Sequence, residues 1–241
     1  MDLPKGLGEY FPAGRLEGDG WGGRLMNHFH KQPLEVQKTL FDSPLEPMEA
    51  IGYYSTFVRH KFSNEWGVQR SALPCYPPLT PILDHEPPTW FDAEKTCKSL
   101  ASHITLNGMT AVDDEFRDLV ERFEPGVHKF YPIEIRMPNA KVYPNQYYIL
   151  VVGQWFDSLV PEKCKDEPFS EMELSSGMLH ISAGPKNRIP DLAFAESVFG
   201  GAHLWWERRF GTPLTCLSDD LVAEIQKAGL RTPKMFKMIA A

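Results

Sequence analysis

The sequence predicts an α+β fold, with a mostly antiparallel sheet flanked by helices behind an irregular, proline-rich N-terminal half. The main observation is an internal repeat, because residues 108–116 and 213–221 both read as a strand end followed by an acidic helix start. A shift of 105 residues aligns Thr110 with Thr215, Asp114 with Asp219, Phe116 with Leu221 and Val120 with Ile225. A second observation is the spacing of apolar residues, which has the period of an amphipathic helix after each start.

Residues 1–91 are predicted to form an irregular region that precedes an α+β domain at residues 92–241. The region contains 11 of the 21 prolines, and proline cannot donate a hydrogen bond to a sheet. Residues 51–57 are rich in aromatic side chains and predict a strand, whereas the glycine-rich residues 16–23 predict a turn or loop. The many aromatic residues argue against disorder. Two arrangements agree with this sequence, a separate N-terminal domain and a single globule.

The first repeat predicts helices and strands between residues 92 and 152. In chain order we expect a short helix at 92–100 capped by Asp92, a strand at 103–106, a helix from the cap Asp113 to about Phe123, and strands at 129–135 and 146–152. The apolar face of the longer helix consists of Phe116, Leu119, Val120 and Phe123. The last strand has few polar residues, so we place it centrally in the sheet.

The second repeat is preceded by shorter candidate elements. We expect strands at 178–182 and 203–208, a strand or helical turn at 193–199, and a final strand at 235–239. Ser218 is predicted to cap the second helix, whose apolar positions are Leu221, Val222, Ile225 and Ala228. Gly229 follows, where a helix end favours a left-handed residue.

The charge of the chain is concentrated in two acidic stretches. The formal net charge is −7, and residues 113–124 and 157–173 each contain six acidic and two basic residues. Such surfaces repel nucleic acid and anionic lipid and attract a basic protein. The alternative is that these stretches are only a solvated helix face and a solvated loop, which is the usual role of charge runs.

Neither an export signal nor a chemical motif is recognisable in the chain. The N-terminus has no basic or apolar signal region, and no apolar run could cross a bilayer, so we expect a cytoplasmic protein with reduced cysteines. His203 and Glu207, His28 and His30, and residues 84–86 are weak metal candidates because each set lacks further ligands. We therefore predict no catalytic, cofactor-binding or metal-binding residue, and a protein that is not an enzyme.

Several motifs follow one another along the C-terminal part of the chain. They begin in residues 112–133 (Val-Asp-Asp-Glu-Phe-Arg-Asp-Leu-Val-Glu-Arg-Phe-Glu-Pro-Gly-Val-His-Lys-Phe-Tyr-Pro-Ile) and continue through residues 147–152 and Asp157. They end in residues 202–205, 217–221 and 228–230. Over roughly residues 100–238 the chain thereby resembles the eleventh family of polymorphic-toxin immunity proteins, and the motifs that carry this resemblance are structural rather than catalytic.

The resemblance implies an antitoxin-like protein that binds a toxin domain tightly and blocks its active site or its folding. Toxins that bind phosphates are usually basic, so the acidic stretches favour a nuclease toxin, delivered by type VI or contact-dependent secretion and bound 1:1. The expected contacts with this partner are Asp166, Glu167, Glu171 and Glu173, then Asp114, Glu115 and Asp118, with Trp155 and Trp206 as aromatic anchors. Two alternatives are an enzyme that neutralises a toxin or its product, and an adaptor that loads an effector for secretion.

Overall fold

The order of the strands and helices includes two similar units, one in the largest sheet and one in a separate three-stranded sheet. The computed structural model describes residues 14–15, 61–62, 81–84, 86–138, 141–164, 169–173, 179–183, 192–207 and 214–241. The α-helices in these ranges are α1 (Asp114–Phe123), α2 (Glu196–Phe199) and α3 (Asp219–Lys227). The strands are β1 (Gly14–Arg15), β2 (Trp90–Ala93), β3 (His103–Leu106), β4 (Met109–Asp113), β5 (Lys129–Met137), β6 (Lys141–Val142), β7 (Tyr147–Val151), β8 (Trp155–Phe156), β9 (Phe169–Glu173), β10 (Leu179–Ala183), β11 (Ala193–Phe194), β12 (Leu204–Glu207), β13 (Leu214–Leu217) and β14 (Ile239–Ala240).

The largest sheet has the strand order β1-β2-β5-β7-β4-β3, with β6 paired to the end of β5. Strand β7 lies between β5 and β4 and is antiparallel to both. Its apolar run is buried on both sides of the strand, as at Tyr147, Ile149 and Leu150. The predicted central position of this strand is therefore confirmed, and the mostly antiparallel α+β class agrees with the described pairings.

The internal repeat corresponds to two β-hairpins, each followed by a helix. In the first unit β3 pairs antiparallel with β4 and leads into α1, and in the second unit β12 pairs antiparallel with β13 and leads into α3. Asn107 and Gly108 form the two-residue turn of the first hairpin, and both have a positive φ. Such a turn matches the twist of the strands and favours the Asn-Gly sequence found here.

The two helices begin with equivalent caps and pack their equivalent faces into one core. The Asp113 carboxylate accepts a hydrogen bond from the Phe116 backbone N–H at 3.0 Å, and the Ser218 hydroxyl accepts one from the Leu221 backbone N–H at 3.2 Å. The aligned pairs Phe116 with Leu221 and Val120 with Ile225 are all buried in the same cluster. The shift of 105 residues thus aligns structurally equivalent positions.

Two predicted elements are wrong. Residues 92–100 do not form a helix, because residues 90–93 are strand β2, which is parallel to β5 with Phe91 opposite Ile135. Phe91 is fully buried, and this burial favours the strand over the capping tendency of Asp92. The acidic stretch at 157–173 is not a continuous loop, because residues 169–173 are strand β9, antiparallel to β10.

The remaining expected elements agree with the described structure. Strands β3, β5, β7, β10 and β12 lie at the predicted places, and residues 193–199 contain both alternatives, strand β11 and the short helix α2. The exception is the final strand expected at 235–239, because residues 235–238 are not part of a strand and β14 begins only at Ile239, where it pairs parallel with β11. The expected strand at 51–57 and turn at 16–23 lie outside the described residues. No helix in the described ranges is long and apolar enough to cross a membrane.

Parts of the N-terminal region contact the central sheet. Strand β1 is antiparallel to β2 at the edge of this sheet. Phe62 is fully buried, belongs to the core beneath the sheet and packs edge-on against Tyr131 with ring centroids 5.5 Å apart. The neighbouring Lys61 binds both carboxylate oxygens of the buried Glu86 at 2.7 and 2.8 Å. The division between residues 91 and 92 stays a prediction.

Candidate partner-binding surface

The acidic side chains at the start of α1 lie on the surface, but two of them are already paired. The guanidinium of Arg117 lies 3.1 Å from the Asp114 carboxylate and 2.7 Å from that of Asp118. The side chain of Asp118 is two-thirds exposed and that of Asp114 is half exposed. Glu115 is exposed and makes no ion pair with any of the described residues. Of the three predicted contacts on α1, Glu115 therefore has the least compensated charge.

Tyr148 from β7 holds Arg117 against the sheet. Its ring lies 4.3 Å below the guanidinium carbon of Arg117, and its hydroxyl donates a hydrogen bond to Asp114 at 2.9 Å. The hydrogen bond from Arg117 to Asp118 raises the pKa of Arg117. Arg117 is therefore a fixed positive charge between two carboxylates, which weakens the negative potential of this helix turn.

A shallow groove runs between α1 and α3. Its volume is about 690 Å³, and its lining residues are Glu115, Asp118, Leu119, Arg122, Glu224, Lys227 and Ala228. Most of this lining is charged, and Lys227 binds Glu224 at 2.8 Å. In this groove the uncompensated Glu115 lies next to residues of the second repeat. The sequence did not predict this proximity.

The second predicted acidic site lies around strand β9. Glu171 is opposite Ile181 and Glu173 is opposite Leu179 in the pairing with β10. Asp166 and Glu167 lie outside the described residues. The involvement of these four acids in partner binding stays a prediction.

The two tryptophans that were expected to anchor a partner have different surroundings. Trp206 is only 3% exposed and belongs to the core shared by α1 and α3, so the prediction that it anchors a partner at the surface is wrong. All four residues of β12 are buried. Leu204 and Trp206 pack into this core on one face of the sheet, and Trp205 packs into another cluster on the opposite face. Trp155, opposite Trp206 on β8, is half-buried against the same core. It stays a predicted contact.

A buried carboxylate that the sequence did not single out connects the two repeats. Glu124 follows α1 and accepts hydrogen bonds from the backbone N–H groups of His203 at 2.8 Å and Leu204 at 2.9 Å. The side chains of Gln154 at 2.6 Å and His128 at 2.8 Å are its other donors. Nδ1 of His128 accepts a hydrogen bond from the Gly153 N–H, so Nε2 bears the proton given to Glu124.

Glu124 and His128 are an acid and a base in contact, yet all their hydrogen bonds go to groups of the protein. Both carboxylate oxygens of Glu124 accept two hydrogen bonds each, and both ring nitrogens of His128 are used. Burial alone would raise the pKa of Glu124, but the hydrogen bonds from His128, His203 and Gln154 outweigh it, so the pKa lies below its ordinary value. The pair lines neither the groove nor the larger cleft described next.

A larger cleft opens between the second hairpin, α3 and the C-terminal segment 232–240. Its volume is about 790 Å³ and most of its lining is apolar, including Phe199, Leu214 and Phe236. His103 also lines it, and burial lowers the pKa of this imidazole to about 4, so His103 is neutral at physiological pH. Sequence reasoning missed the cleft because its walls come from segments that are distant in the chain.

The weak metal candidates have other partners. His203 directly precedes strand β12 and Glu207 ends it. Nδ1 of His203 contacts the Ser218 hydroxyl at 2.8 Å, and Glu207 accepts two hydrogen bonds from Ser158. Glu86 binds Lys61, and His28, His30 and His85 lie outside the described residues. Among the residues that the structure describes, no group of three potential ligands could hold a metal ion.

Comparison with known proteins identifies one family. The model of a family described as "Immunity protein family (Imm11)" matches residues 47–239. The match includes both repeats and extends towards the N-terminus past the region where the motifs were recognised. No curated protein matches the chain.

Proposed function

The chain belongs to the Imm11 immunity protein family, and we propose on this premise that it neutralises a cognate toxin by occupying the surface of its toxic domain. The finer proposal is a 1:1 complex with a basic nuclease, formed in the cytoplasm of the cell that makes the immunity protein. The toxin is delivered by type VI or contact-dependent secretion. The family match over residues 47–239 carries the general function.

The charge distribution supports the nuclease as target. A nuclease domain binds phosphates with basic side chains, and a complementary acidic surface accelerates association and excludes wrong partners. Glu115 on α1 presents an uncompensated carboxylate at the edge of a groove. The acids Asp166, Glu167, Glu171 and Glu173 provide a second negative segment. Trp155 is the proposed aromatic anchor because it is half-buried rather than enclosed.

The main rival is an enzyme that neutralises a toxin or its product. Such an enzyme needs ionisable groups that converge on a pocket. The buried acid–base pair of Glu124 and His128 has no hydrogen-bonding position left for a substrate. Cys216 lines the cleft, but burial and the charge of Glu207 raise the pKa of its thiol, which disfavours the nucleophilic thiolate. These observations favour binding over catalysis.

The test is titration of the toxin domain encoded by the neighbouring gene. Purified protein should co-elute with this domain, and inhibition should be complete at one equivalent because each copy occupies one toxin. Strong inhibition far below one equivalent would indicate turnover and support the enzyme. A complex that leaves toxin activity intact would instead support the adaptor.

A further inference from the structure

Strand β13 forms an edge of its sheet, and this edge borders the large cleft. The sheet has the order β13-β12-β8, so only one side of β13 is paired with another described strand. All four residues of β13 line the cleft, and the C-terminal segment 232–240 forms part of the lining as well. The cleft is therefore a slot with a strand edge in one wall.

The register of the hairpin shows which backbone groups of β13 point into this slot. Ser218 donates its backbone N–H to His203 at 2.9 Å, towards β12. Neighbouring residues of a strand direct their N–H and C=O groups to opposite sides, so the backbone groups of Cys216 and Leu214 also point towards β12. The backbone groups of Thr215 and Leu217 must then point outwards, away from β12. Trp206, opposite Thr215, agrees with this register because its N–H bonds to Gln154 on the β8 side.

No described residue makes a backbone hydrogen bond to the outward groups of β13. Within the described ranges, neither Thr215 nor Leu217 donates a backbone hydrogen bond. The backbone of the C-terminal segment is hydrogen-bonded near its two ends, where Arg231 accepts a bond from Ser102 and Ile239 donates one to Leu192. Between these two points, no described residue of the segment makes a backbone hydrogen bond. The slot thus has unused donors and acceptors above an apolar floor, which is what an added strand requires.

The charges at the slot favour a basic occupant. Lys237 forms an ion pair with Asp219, and Lys234 lies 4.6 Å from the ring centre of Phe236. The carboxylates of Glu196 and Asp220 are exposed and form no ion pair with another described residue. The cationic side chains of the slot are therefore engaged, whereas two anionic ones can still bind lysine or arginine.

We propose that an extended segment of the cognate toxin, with apolar residues and at least one lysine or arginine, binds in this slot as an additional strand on β13. The inference rests on the proposed function and adds the mode of binding. Main-chain hydrogen bonds to Thr215 and Leu217 supply affinity, the cleft receives apolar side chains, and Glu196 and Asp220 select for basic ones.

Amide hydrogen exchange measured by NMR tests the added strand directly. On addition of the toxin domain encoded by the neighbouring gene, exchange of the Thr215 and Leu217 amides should slow by about tenfold or more, because both become hydrogen-bonded. Thr105 is the matched control, since its N–H also points outwards, from the edge strand β3, but does not line the slot. Protection of Thr215 and Leu217 without protection of Thr105 supports the proposal.

Other results of this experiment would overturn it. If a 1:1 complex forms while both amides exchange as in the free protein, the added strand is wrong and the proposed function stands. If no complex forms, the added strand and the proposed function are both wrong. Protection that requires only a second copy of this chain, seen as a dimer without toxin, would also overturn the proposal because the slot would then serve self-association.

Two variants provide an independent readout. Thr215→Pro removes the outward N–H and should weaken toxin binding about tenfold or more through the unmatched acceptor, whereas Thr105→Pro should not. Since proline can disturb a strand, the combined variant Glu196→Lys and Asp220→Lys provides a second test on exposed positions. It should also weaken binding. The combined variant Asp92→Lys and Glu94→Lys changes the net charge by the same amount at exposed positions and is its control. Wild-type affinity in both the folded proline variant and the charge variant would contradict the proposal.

Discussion

Glu124 lies just after α1 and accepts hydrogen bonds from the backbone at the start of β12, so one side chain connects the two repeats. A buried carboxylate without partners would cost several kcal/mol. Here four donor groups surround the carboxylate of Glu124, and the pKa of this group is lowered as a result. The ionised form is thus the one that the folded protein stabilises.

We expect Glu124→Gln to lower the free energy of unfolding by about 2–4 kcal/mol at pH 7, since an amide replaces one acceptor with a donor amid buried donors. The difference between wild type and variant should be full above the unfolded pKa of about 4.3. It should shrink as the pH falls below this value and through the lower folded pKa, because the wild-type carboxylate then becomes protonated.

Urea unfolding at pH 7 and pH 3.5 measures this difference. Glu115→Gln is the control, because Glu115 is an exposed residue of α1, the helix that Glu124 follows, and this variant should unfold like wild type at pH 7. A Glu124→Gln protein as stable as wild type at pH 7 would show that the network contributes nothing to folding.

Individual residues were the least predictable part of this molecule. The sequence favoured Trp206 as a surface anchor, but this side chain is buried in the core shared by α1 and α3. Glu124 read as one more acid of a charged helix, yet its burial depends on His203 and Leu204, about 80 residues away. Contacts between residues so far apart in the chain depend on how the elements pack, and a single sequence does not show which residues will meet.

At the scale of elements, helix α1 combines a buried apolar face with an exposed acidic face. Its apolar spacing is local and therefore predicted both the helix and its burial. The wrongly predicted helix at 92–100 shows the limit, because pairing of Phe91 with Ile135 brings together parts of the chain that local propensity does not connect. Pairing across the sheet outweighed the capping preference of Asp92.

The acidic face of α1 leads to a prediction about rates. Glu115→Lys should slow association with the toxin domain about three- to tenfold at low salt, because reversing an uncompensated charge reduces electrostatic steering. The melting temperature should change little, since the side chain is exposed. Stopped-flow measurements at low and high salt give the association rate and show how far salt screens the electrostatic attraction.

Glu94→Lys makes the same change of charge at an exposed position outside α1. It should leave the association rate closer to wild type than Glu115→Lys does. Equal rates for the two variants at every salt concentration would indicate that only net charge matters and that α1 is not near the contact.

At the scale of the whole molecule, both copies of the internal repeat lie within the residues that match the family. The family match at residues 47–239 covers both ββα units. The sequence predicted the α+β class because the repeat is local within each unit and its apolar period is regular. It did not predict the cleft or the edge of β13, because these arise only when the C-terminal segment and the second hairpin come together.

The acidic residues around β9 are the contacts that the sequence favours most for a basic toxin. Changing Glu167, Glu171 and Glu173 together to lysine should sharply reduce protection of cells that express the toxin, because attraction becomes repulsion along one segment. We expect the melting temperature to stay within a few degrees of wild type, so that lost protection reports lost binding rather than lost folding. Cell survival and thermal unfolding are the two measurements.

A matched variant separates the segment from the overall charge. Changing Asp84, Asp92 and Glu94 to lysine alters the net charge by the same amount at exposed positions, and it should leave protection largely intact. Loss of protection in both variants would assign the effect to net charge. Full protection by the Glu167, Glu171 and Glu173 variant would remove β9 from the interface and leave the α1 face and the β13 slot as the surfaces that bind the toxin.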